Sequence, residues 1–415
     1  MKIVYIHQHF TTNAGGGGTR SYDVGRHLVR MGHEVTVISG IGYRSGLPKL
    51  PRWQLWRTVR VDGIKVVLCN VSYSNYMSVL GRLWAFIGFA LLATIACLRE
   101  AGVDVIFATS TPLTVGIPGR LAATLKGIPY VFDVRDLWPE DLLAAGRLKP
   151  GLQYEIWQSL ERFCYATASK ILLVSKGFHD RLLERRFAPD RLRTLLLGAD
   201  GELFKEHRPD REYMQEKGLA GKTVALYAGA HGDANGLDQV LDAAAFLKDR
   251  QDIAIVLIGD GKMRDGLRRR AAEEGLSNVH LLDPVPKTRL VRILQACDVG
   301  LMILKQIVRP RWVTPNKLFD YMFAGLPTIV NFPGTTADLV EAEGVGCVAR
   351  PGDAEDLAAK IRHYADHPQQ TRAVGRHARE LAFCKYDREQ IARALADELE
   401  AAVRNRRLRL ASLIA

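Results

Sequence analysis

Short apolar runs alternate with longer amphipathic segments along most of the chain. The first apolar run, Lys2–Ile6, precedes a segment with helical spacing, Ser21–Met31, and a second apolar run, Glu34–Ser39. Apolar runs of this length predict buried strands, and strands that alternate with helices predict a parallel sheet. Further strands of this kind are predicted at Asp104–Ala108, Tyr130–Asp133 and Lys170–Val174.

The same alternation begins again in the second half of the chain. Strands are predicted there at Thr223–Tyr227, Ala254–Ile258, Val279–Leu282 and Val299–Leu304. A chain of 415 residues is long enough for two domains. We therefore predict the α/β class, with two doubly wound, Rossmann-like domains facing a cleft. The predicted divisions are residues 1–198, residues 199–385 and a C-terminal helix with a basic tail at 386–415.

One stretch late in the second half predicts a short helix with signals at both ends. Thr314 is the predicted N-cap, Pro315 the first helical residue, and Gly325 the left-handed residue that ends the helix. The backbone N–H groups of Asn316 and Lys317 would then point out of the positive helix end, beside the lysine ammonium. This arrangement suits a phosphate. A capped helix with an exposed lysine and no ligand explains the same pattern, so both interpretations stay open.

Charged residues also follow a predicted strand in the first half. Arg135 and Asp136 come after Tyr130–Asp133, at the carboxyl end of a parallel strand, where open α/β sheets bind ligands. We favour a substrate site over a structural ion pair for these two residues. His7 and His9 follow the first strand, but ordinary loop histidines explain them equally well.

An uncharged apolar stretch, Leu83–Leu98, lies between Arg82 and Arg99. It is too short for a comfortable transmembrane helix, which needs about 20 residues. A helix buried against the sheet is the favoured interpretation. A helix on a membrane surface is the alternative, because basic flanks and tryptophans are typical of such helices. The basic end of the chain, Arg404–Arg409, is a second candidate for contact with anionic lipid.

Composition narrows the class of partner. The formal net charge is +12, which predicts an anionic partner. No RNA-binding or zinc-binding pattern accompanies it, so nucleic acid is not expected. The six cysteines are scattered without a CxxC pair, which predicts reduced thiols in a cytoplasmic protein.

The motifs together resemble those of family 4 glycosyltransferases with the GT-B architecture, in particular the bacterial surface-polysaccharide group that includes the WbuB-like fucosamine transferases. The motifs that carry the resemblance are Gly15–Gly18, Ala108–Pro112, Phe132–Pro139, Leu160–Phe163, Gly259–Gly261 and Thr314–Pro327. The resemblance covers nearly the whole chain. It implies that the C-terminal helix crosses back to the N-terminal domain. It also implies that the second domain binds a nucleotide-sugar and the first binds the acceptor.

The resemblance further implies the residues of the site. Lys317, Arg135 and Asp136 would be catalytic. The donor-binding residues would be Gly16, Gly17, Gly18, Gly229, His231, Gly232, Asp260, Gly261, Lys262, Pro286, Pro315, Asn316, Leu318 and Asp320. No metal and no cofactor are expected, since the nucleotide-sugar is a co-substrate and no two aspartates stand two apart.

The implied function is retaining transfer of a sugar from a nucleotide-diphospho-sugar, with UDP as the expected nucleotide. The acceptor would be a lipid-linked or other glycan in O-antigen, capsule or exopolysaccharide synthesis. The enzyme would then lie at the cytoplasmic face of the inner membrane as a peripheral protein. A UDP-N-acetylglucosamine 2-epimerase-like enzyme and a non-catalytic sugar-nucleotide-binding protein are the alternatives.

The chain departs from the family pattern in the groups that hold the diphosphate. The turn Gly229–Gly236 contains His231 as its only candidate cation, where many members carry an Arg and a Lys. Positive charge would then come from Lys317, Lys262, Arg309 or Arg311. Asp320 and Trp312 also stand where many members carry glutamates, which weakens the expected contact with a ribose.

Overall fold

The computed structural model describes all of residues 1–415 except 16–17, 43–44, 75, 145, 147, 306–311, 313 and 415. The chain divides into two compact units. Unit 1 contains Met1–Leu196 together with Arg388–Ala415, and unit 2 contains Leu197–Asp387. The two divisions therefore follow residues 196 and 387, where the sequence placed them after 198 and 385.

Unit 1 is built on an eight-stranded sheet. Its strands are β1 (Lys2–Ile6), β2 (Glu34–Gly42), β3 (Trp56–Val61), β4 (Ile64–Tyr73), β5 (Val105–Thr109), β6 (Tyr130–Val134), β7 (Lys170–Leu173) and β8 (Leu192–Thr194). Their order is β3-β4-β2-β1-β5-β6-β7-β8, and all neighbours are parallel except β3 and β4. The β3–β4 hairpin is absent from the sequence prediction. Strand β3 mixes basic and apolar residues and is half exposed, but β4 is a mostly buried apolar run, which its pattern indicates.

Helices cover the faces of this sheet, as parallel strands require. They are α1 (Arg20–Arg30), α2 (Val79–Arg99), α3 (Gly116–Lys126), α4 (Glu140–Ala144), α5 (Leu152–Ala166) and α6 (Lys176–Glu184).

Unit 2 is built on a six-stranded sheet whose neighbouring strands are all parallel. Its helices and strands are α7 (Arg211–Glu216), β9 (Thr223–Ala228), α8 (Asp238–Ala245), β10 (Ile253–Ile258), α9 (Arg264–Glu273), β11 (Val279–Leu282), α10 (Lys287–Leu294), β12 (Val299–Met302), α11 (Asn316–Ala324), β13 (Thr328–Val330), α12 (Thr335–Ala342), β14 (Gly346–Val348), α13 (Ala354–Asp366) and α14 (Pro368–Lys385). The strand order is β11-β10-β9-β12-β13-β14.

The last helix, α15 (Arg388–Ile414), packs on unit 1, as predicted. Leu395 and Leu399 are buried in the same apolar cluster as Leu28 of α1. A buried ion pair between Arg388 and Asp23 joins the two helices at the start of α15.

The order of strands reverses beside the first strand of each sheet. In unit 1, β1 lies between β2 and β5, and in unit 2, β9 lies between β10 and β12. In open α/β sheets, the crevice outside the carboxyl ends of the strands at such a point is where ligands bind. The loops that follow β1 and β9 are therefore expected to line ligand-binding sites.

Helix α2 is only partly buried. The favoured interpretation, a helix buried against the sheet, therefore holds for one of its faces. Ala85, Phe89 and Ala93 are buried toward the protein. The opposite face exposes large apolar side chains along the whole helix, namely Val79, Leu80, Leu83, Trp84, Ile87, Leu91, Ile95 and Leu98. In the described part of the chain, α2 is the one helix long and apolar enough to cross a membrane.

Two neighbouring helices extend this exposed surface. Helix α3 contacts both α2 and α5. It exposes Leu121 and Leu125, and α5 exposes Leu152 and Ile156. We call the exposed side chains of α2, α3 and α5 the apolar face of unit 1.

Candidate functional site

The start of α11 differs from the sequence prediction. The helix begins at Asn316, and Pro315 flanks it in an extended conformation with ψ 143°. Thr314 is buried, and no described side chain caps the helix. The predicted N-cap at Thr314 and the predicted first turn at Pro315 are therefore one residue too early. The far end agrees with the prediction, because Gly325 ends the helix in the left-handed region with φ 81°.

Lys317 lies in the first turn of α11, half-buried beside the end of β9. Its Nζ lies 3.7 Å from the centroid of the Tyr227 ring. Among the residues that the structure describes, none forms an ion pair or hydrogen bond with this ammonium. Burial lowers the pKa of Lys317 to about 7. An ammonium whose charge is poorly compensated is suited to attract an anion.

Two glycine turns pack tightly against each other under Lys317. A Cβ at Gly259 would lie 1.8 Å from the carbonyl oxygen of Gly229, and a Cβ at Gly261 would lie 2.4 Å from that of His231. Only glycine fits at this contact, which holds the loops after β9 and β10 together. The amide of His231 also donates to the carbonyl of Asp260 at 2.9 Å.

The surroundings of His231, the candidate cation of this turn, disfavour the charged form of its ring. The side chain is fully buried, and neither ring nitrogen has a hydrogen-bond partner within the described ranges. Burial and the neighbouring Arg264 charge lower the pKa of His231 to about 4, so the ring is neutral at physiological pH. Sequence reasoning missed Arg264, a cation near this turn that pairs with Asp283 at 2.5 Å.

Asp320, one of the predicted donor-binding residues, contacts another side chain of the protein. Asp320 forms an ion pair with Lys287, at the start of α10, with 2.5 Å between Nζ and Oδ2. The pair is mostly buried. Leu318 is fully buried as well, and its amide donates to the carbonyl of Pro315 at 3.2 Å. The Leu318 amide and Oδ2 of Asp320 are therefore both engaged by groups of the protein.

The remaining predicted donor-binding residues lie partly in these loops and partly elsewhere in the chain. Gly232 begins the short turn after His231, and Lys262 and Pro286 are exposed. The side-chain Oδ1 of Asn316 is buried and has no partner in the described part of the chain. Four predicted residues lie outside the described ranges, namely Gly16, Gly17, Arg309 and Arg311. Gly18 is described and exposed in unit 1.

Unit 1 has its own concentration of polar groups at the carboxyl ends of its strands. Arg135 follows β6, and its amide donates to the Ser110 hydroxyl, at the end of β5, at 2.9 Å. Asp136 accepts a hydrogen bond from Thr111. Below them, Asp133 is buried and pairs with Arg20 of α1. Arg135 and Asp136 therefore lie at the predicted sheet edge, and Asp136 is held by Thr111.

His7 and His9, which ordinary loop positions explained equally well in the sequence, lie at this same edge of the sheet. Burial and the charge of Arg135 lower the pKa of His7 well below its usual range and that of His9 to about 4. Both residues follow β1, where the strand order reverses. The rule that identified Arg135 would have found them, because it applies to every strand that ends at this edge.

One further carboxylate near Asp136 was missed. Asp141 accepts a hydrogen bond from the amide of Leu137 at 2.6 Å. Burial and the charge of Asp136 raise the pKa of Asp141 to about 7. The sequence gives no signal for this shift, because it depends on how α4 packs.

Two sequence families match the chain. The family described as "Glycosyl transferase 4-like domain" matches residues 15–198, and the family described as "Glycosyl transferases group 1" matches residues 209–381. The two matches together span most of the chain. The fold and the families thus define a GT-B glycosyltransferase, and the chain belongs to glycosyltransferase family 4.

Named relatives agree with this assignment. WbjE of Pseudomonas aeruginosa, named as a glycosyltransferase, is 26% identical over 262 residues, which are 62% of this chain and 65% of that protein. WcaI of Escherichia coli K12, named for colanic acid biosynthesis, is 24% identical over 96% of this chain and 100% of its own length.

Solved structures show the fold. Sucrose-phosphate synthase from Thermosynechococcus elongatus gives a TM-score of 0.76 at 17% identity, covering 96% of this chain and 98% of that chain. HepE from Anabaena, solved with UDP, gives 0.66 at 17% identity, covering 97% and 100%. WaaG, a glycosyltransferase involved in lipopolysaccharide biosynthesis, gives 0.69 at 17% identity, covering 96% and 99%. These similarities agree with the predicted GT-B fold.

Proposed function

We propose that the protein is a retaining glycosyltransferase that transfers a hexosyl group from a UDP-linked sugar to a lipid-linked or other glycan acceptor in bacterial surface-polysaccharide synthesis. The observation that carries the proposal is Lys317. Its ammonium lies at an uncapped helix start beside the strand-order reversal of unit 2. The UDP complex of HepE supports the nucleotide, and the names of WcaI and WaaG support the biological setting.

The chemistry requires stabilisation of the leaving diphosphate. Lys317 and the amide groups at the start of α11 would meet the negative charge that develops as the bond from the anomeric carbon to the phosphate oxygen breaks. In front-face attack, the acceptor hydroxyl forms its bond to the anomeric carbon on that same side. Its proton passes to the departing phosphate oxygen. This route retains the anomeric configuration, needs no protein nucleophile, and is proposed to need no metal.

The apolar face of unit 1 supports a lipid-linked acceptor. Soluble monomers rarely expose large contiguous apolar patches, which mark membrane or partner surfaces. Trp84 is 70% exposed and Leu91 63% exposed on α2. The protein is positively charged overall, as suits the anionic cytoplasmic leaflet. We therefore propose that the enzyme is a peripheral protein on the cytoplasmic side of the inner membrane.

A non-catalytic sugar-nucleotide-binding protein is the second candidate. The observation that favours it is the neutral His231, which leaves the turn Gly229–Gly236 without a cationic side chain to hold a diphosphate. Binding of a nucleotide without turnover would select this candidate.

Thermal unfolding with a panel of nucleotides tests the proposal. UDP, GDP, ADP, CMP and their sugars are added singly, with and without EDTA. A ligand at 100 times its Kd stabilises by about 2.7 kcal/mol, which is measurable. We expect a shift with UDP and UDP-sugars that EDTA leaves unchanged. Proton NMR of the product then reports the anomeric configuration. No shift with any nucleotide, or an inverted product, would contradict the proposal.

A further inference from the structure

A group of polar side chains in unit 1 is suited to bind an anion. His7 is buried, and its Nδ1 has no hydrogen-bond partner in the described chain. The Arg135 guanidinium is half-buried, and no described residue forms an ion pair or hydrogen bond with it. Buried polar groups are nearly always hydrogen-bonded in native proteins, so each exception calls for an explanation.

The two nearby carboxylates, Asp133 and Asp136, accept hydrogen bonds from residues other than Arg135. Asp133 is engaged by Arg20 and by the Thr109 hydroxyl. Asp136 accepts from Thr111. His7 follows β1 and Arg135 follows β6, so they lie at the same edge of the sheet with only β5 between their strands. The charge of Arg135 also lowers the pKa of the His7 and His9 rings. The Arg135 guanidinium thus has no direct ion-pair partner among the described residues, although the charges of Asp133 and Asp136 act on it from nearby.

A continuous set of ring contacts connects this group to the apolar helix α2. The His9 ring lies 4.4 Å from the Tyr73 ring, measured between centroids. Tyr73 stacks on Phe86 of α2 at 5.8 Å with 17° between the ring planes. Gln8 also donates to the carbonyl of Ala85 in α2 at 3.5 Å. The polar group is thus the direct neighbour of the first turns of α2, which expose Leu83 and Trp84.

We propose that Arg135, His7 and His9 bind the phosphate end of an isoprenyl phosphate or diphosphate, whose apolar chain lies along the start of α2. Arginine suits this ligand because its planar guanidinium meets phosphate oxygens with two parallel hydrogen bonds. The exposed aromatic and aliphatic side chains of α2 suit the isoprenyl chain. The identification of this ligand as the acceptor rests on the proposed function, but the binding chemistry does not.

Calorimetric titration of the full-length protein with farnesyl diphosphate, below its aggregation concentration, tests the site. We expect Arg135→Gln to weaken binding at least tenfold. Farnesol lacks the phosphate and inorganic diphosphate lacks the chain, so each should bind much more weakly than farnesyl diphosphate. Arg268→Gln, an exposed arginine of α9, is the matched control and should change nothing. Equal affinity of Arg135→Gln and the wild type, or equal affinity for farnesol, would overturn the proposal.

Lys317→Met separates this site from the donor site. We expect UDP binding to be weakened at least tenfold in Lys317→Met and unchanged in Arg135→Gln, and farnesyl diphosphate binding to show the reverse. Failure of UDP to bind the wild type would count against the proposed function alone. Loss of farnesyl diphosphate binding in Lys317→Met, but not in Arg135→Gln, would place that ligand in the donor site and overturn this proposal.

The His9 ring gives a second readout. Bound phosphate should raise the pKa of His9, which NMR of the imidazole follows directly. If Arg135→Gln does not fold, Arg135→Lys keeps the charge but loses the planar fork, and it should bind with intermediate affinity. An unchanged His9 titration in the presence of farnesyl diphosphate would contradict the proposed contact.

Discussion

The Nζ atom of Lys317 lies 3.7 Å from the centroid of the Tyr227 ring. The ring face attracts a cation, but more weakly than a buried carboxylate would. The missing side chain of Gly229 keeps the space free, because a Cβ there would come within 3.0 Å of Nζ. The Lys317 side chain is therefore held in place with no ion-pair partner among the described residues, which leaves it available to a diphosphate.

Replacing Lys317 should remove the main stabilisation of the leaving group. We expect Lys317→Met, which keeps the bulk and loses the charge, to cost about 2–4 kcal/mol of transition-state stabilisation, the scale of one oxyanion donor. The measurement is kcat with a UDP-sugar. Lys248→Ala, an exposed lysine of unit 2, is the control and should keep full activity. Wild-type kcat in Lys317→Met would exclude Lys317 from the mechanism.

UDP binding should depend on pH above neutrality. Burial lowers the pKa of free Lys317 to about 7, so above pH 7 the side chain is mostly neutral and must take up a proton when diphosphate binds. By linkage, Kd should rise by about tenfold per pH unit above 7, and Lys317 should impose no trend below it. Calorimetry between pH 7 and 9 in two buffers of different ionisation enthalpy measures the proton uptake. Lys317→Met should abolish the uptake. A constant Kd in the wild type would contradict the low pKa.

The contact between the two glycine turns should tolerate no side chain. A Cβ at Gly259 would lie 1.8 Å from the Gly229 carbonyl oxygen, so Gly259→Ala forces the turns apart. We expect a loss of about 1–3 kcal/mol in the free energy of unfolding, and weaker UDP binding. Gly266→Ala is the matched control, because nothing lies within 4 Å of its added Cβ on α9. That change should be neutral or stabilise by up to about 1 kcal/mol. Urea unfolding compares the two variants.

Strand positions could be predicted well from the sequence, because a buried parallel strand shows as a short apolar run. The prediction for Lys2–Ile6 agrees with the structure at both ends. The helix after Pro315 was predicted one residue too early, since the proline adopts the extended conformation that flanks a helix. Strand β3 of the hairpin was not predicted because its exposed edge carries no apolar period, whereas β4 shows a buried apolar run that could have been predicted.

The site could be predicted only in part, because the type of a residue determines neither its charge in the folded protein nor the residues it contacts. Lys317 and Arg135 lie at the predicted strand ends. The charge of His231 could not be predicted, since it depends on complete burial beside Arg264. The ion pair between Lys287 and Asp320 joins two helices that are distant in the sequence, so no local pattern reveals it.

The buried ion pair below the unit 1 site should be essential for stability. Asp133 and Arg20 are both buried, with 3.2 Å between Nη2 and Oδ1 in one of their two contacts. Asp133→Asn would leave the guanidinium charge uncompensated, at a cost of about 3–5 kcal/mol. Asp252→Asn breaks the exposed pair with Arg250 and should cost at most about 1 kcal/mol. Denaturant unfolding of both variants gives the comparison, and equal losses would contradict this ranking.

The apolar face of unit 1 should bring the protein to membranes. Burying one large apolar side chain contributes about 1.5–3 kcal/mol. The double change Trp84→Ser and Leu91→Glu on α2 should therefore weaken binding to vesicles of anionic phospholipid more than tenfold. The change Phe246→Ser removes an apolar side chain of similar exposure in unit 2 and serves as the control. Sedimentation with vesicles measures the bound fraction, and activity on a water-soluble acceptor checks that the variants remain folded. Equal binding of the double variant and the wild type would mean that α2 does not contact lipid, and would favour a protein partner on this face.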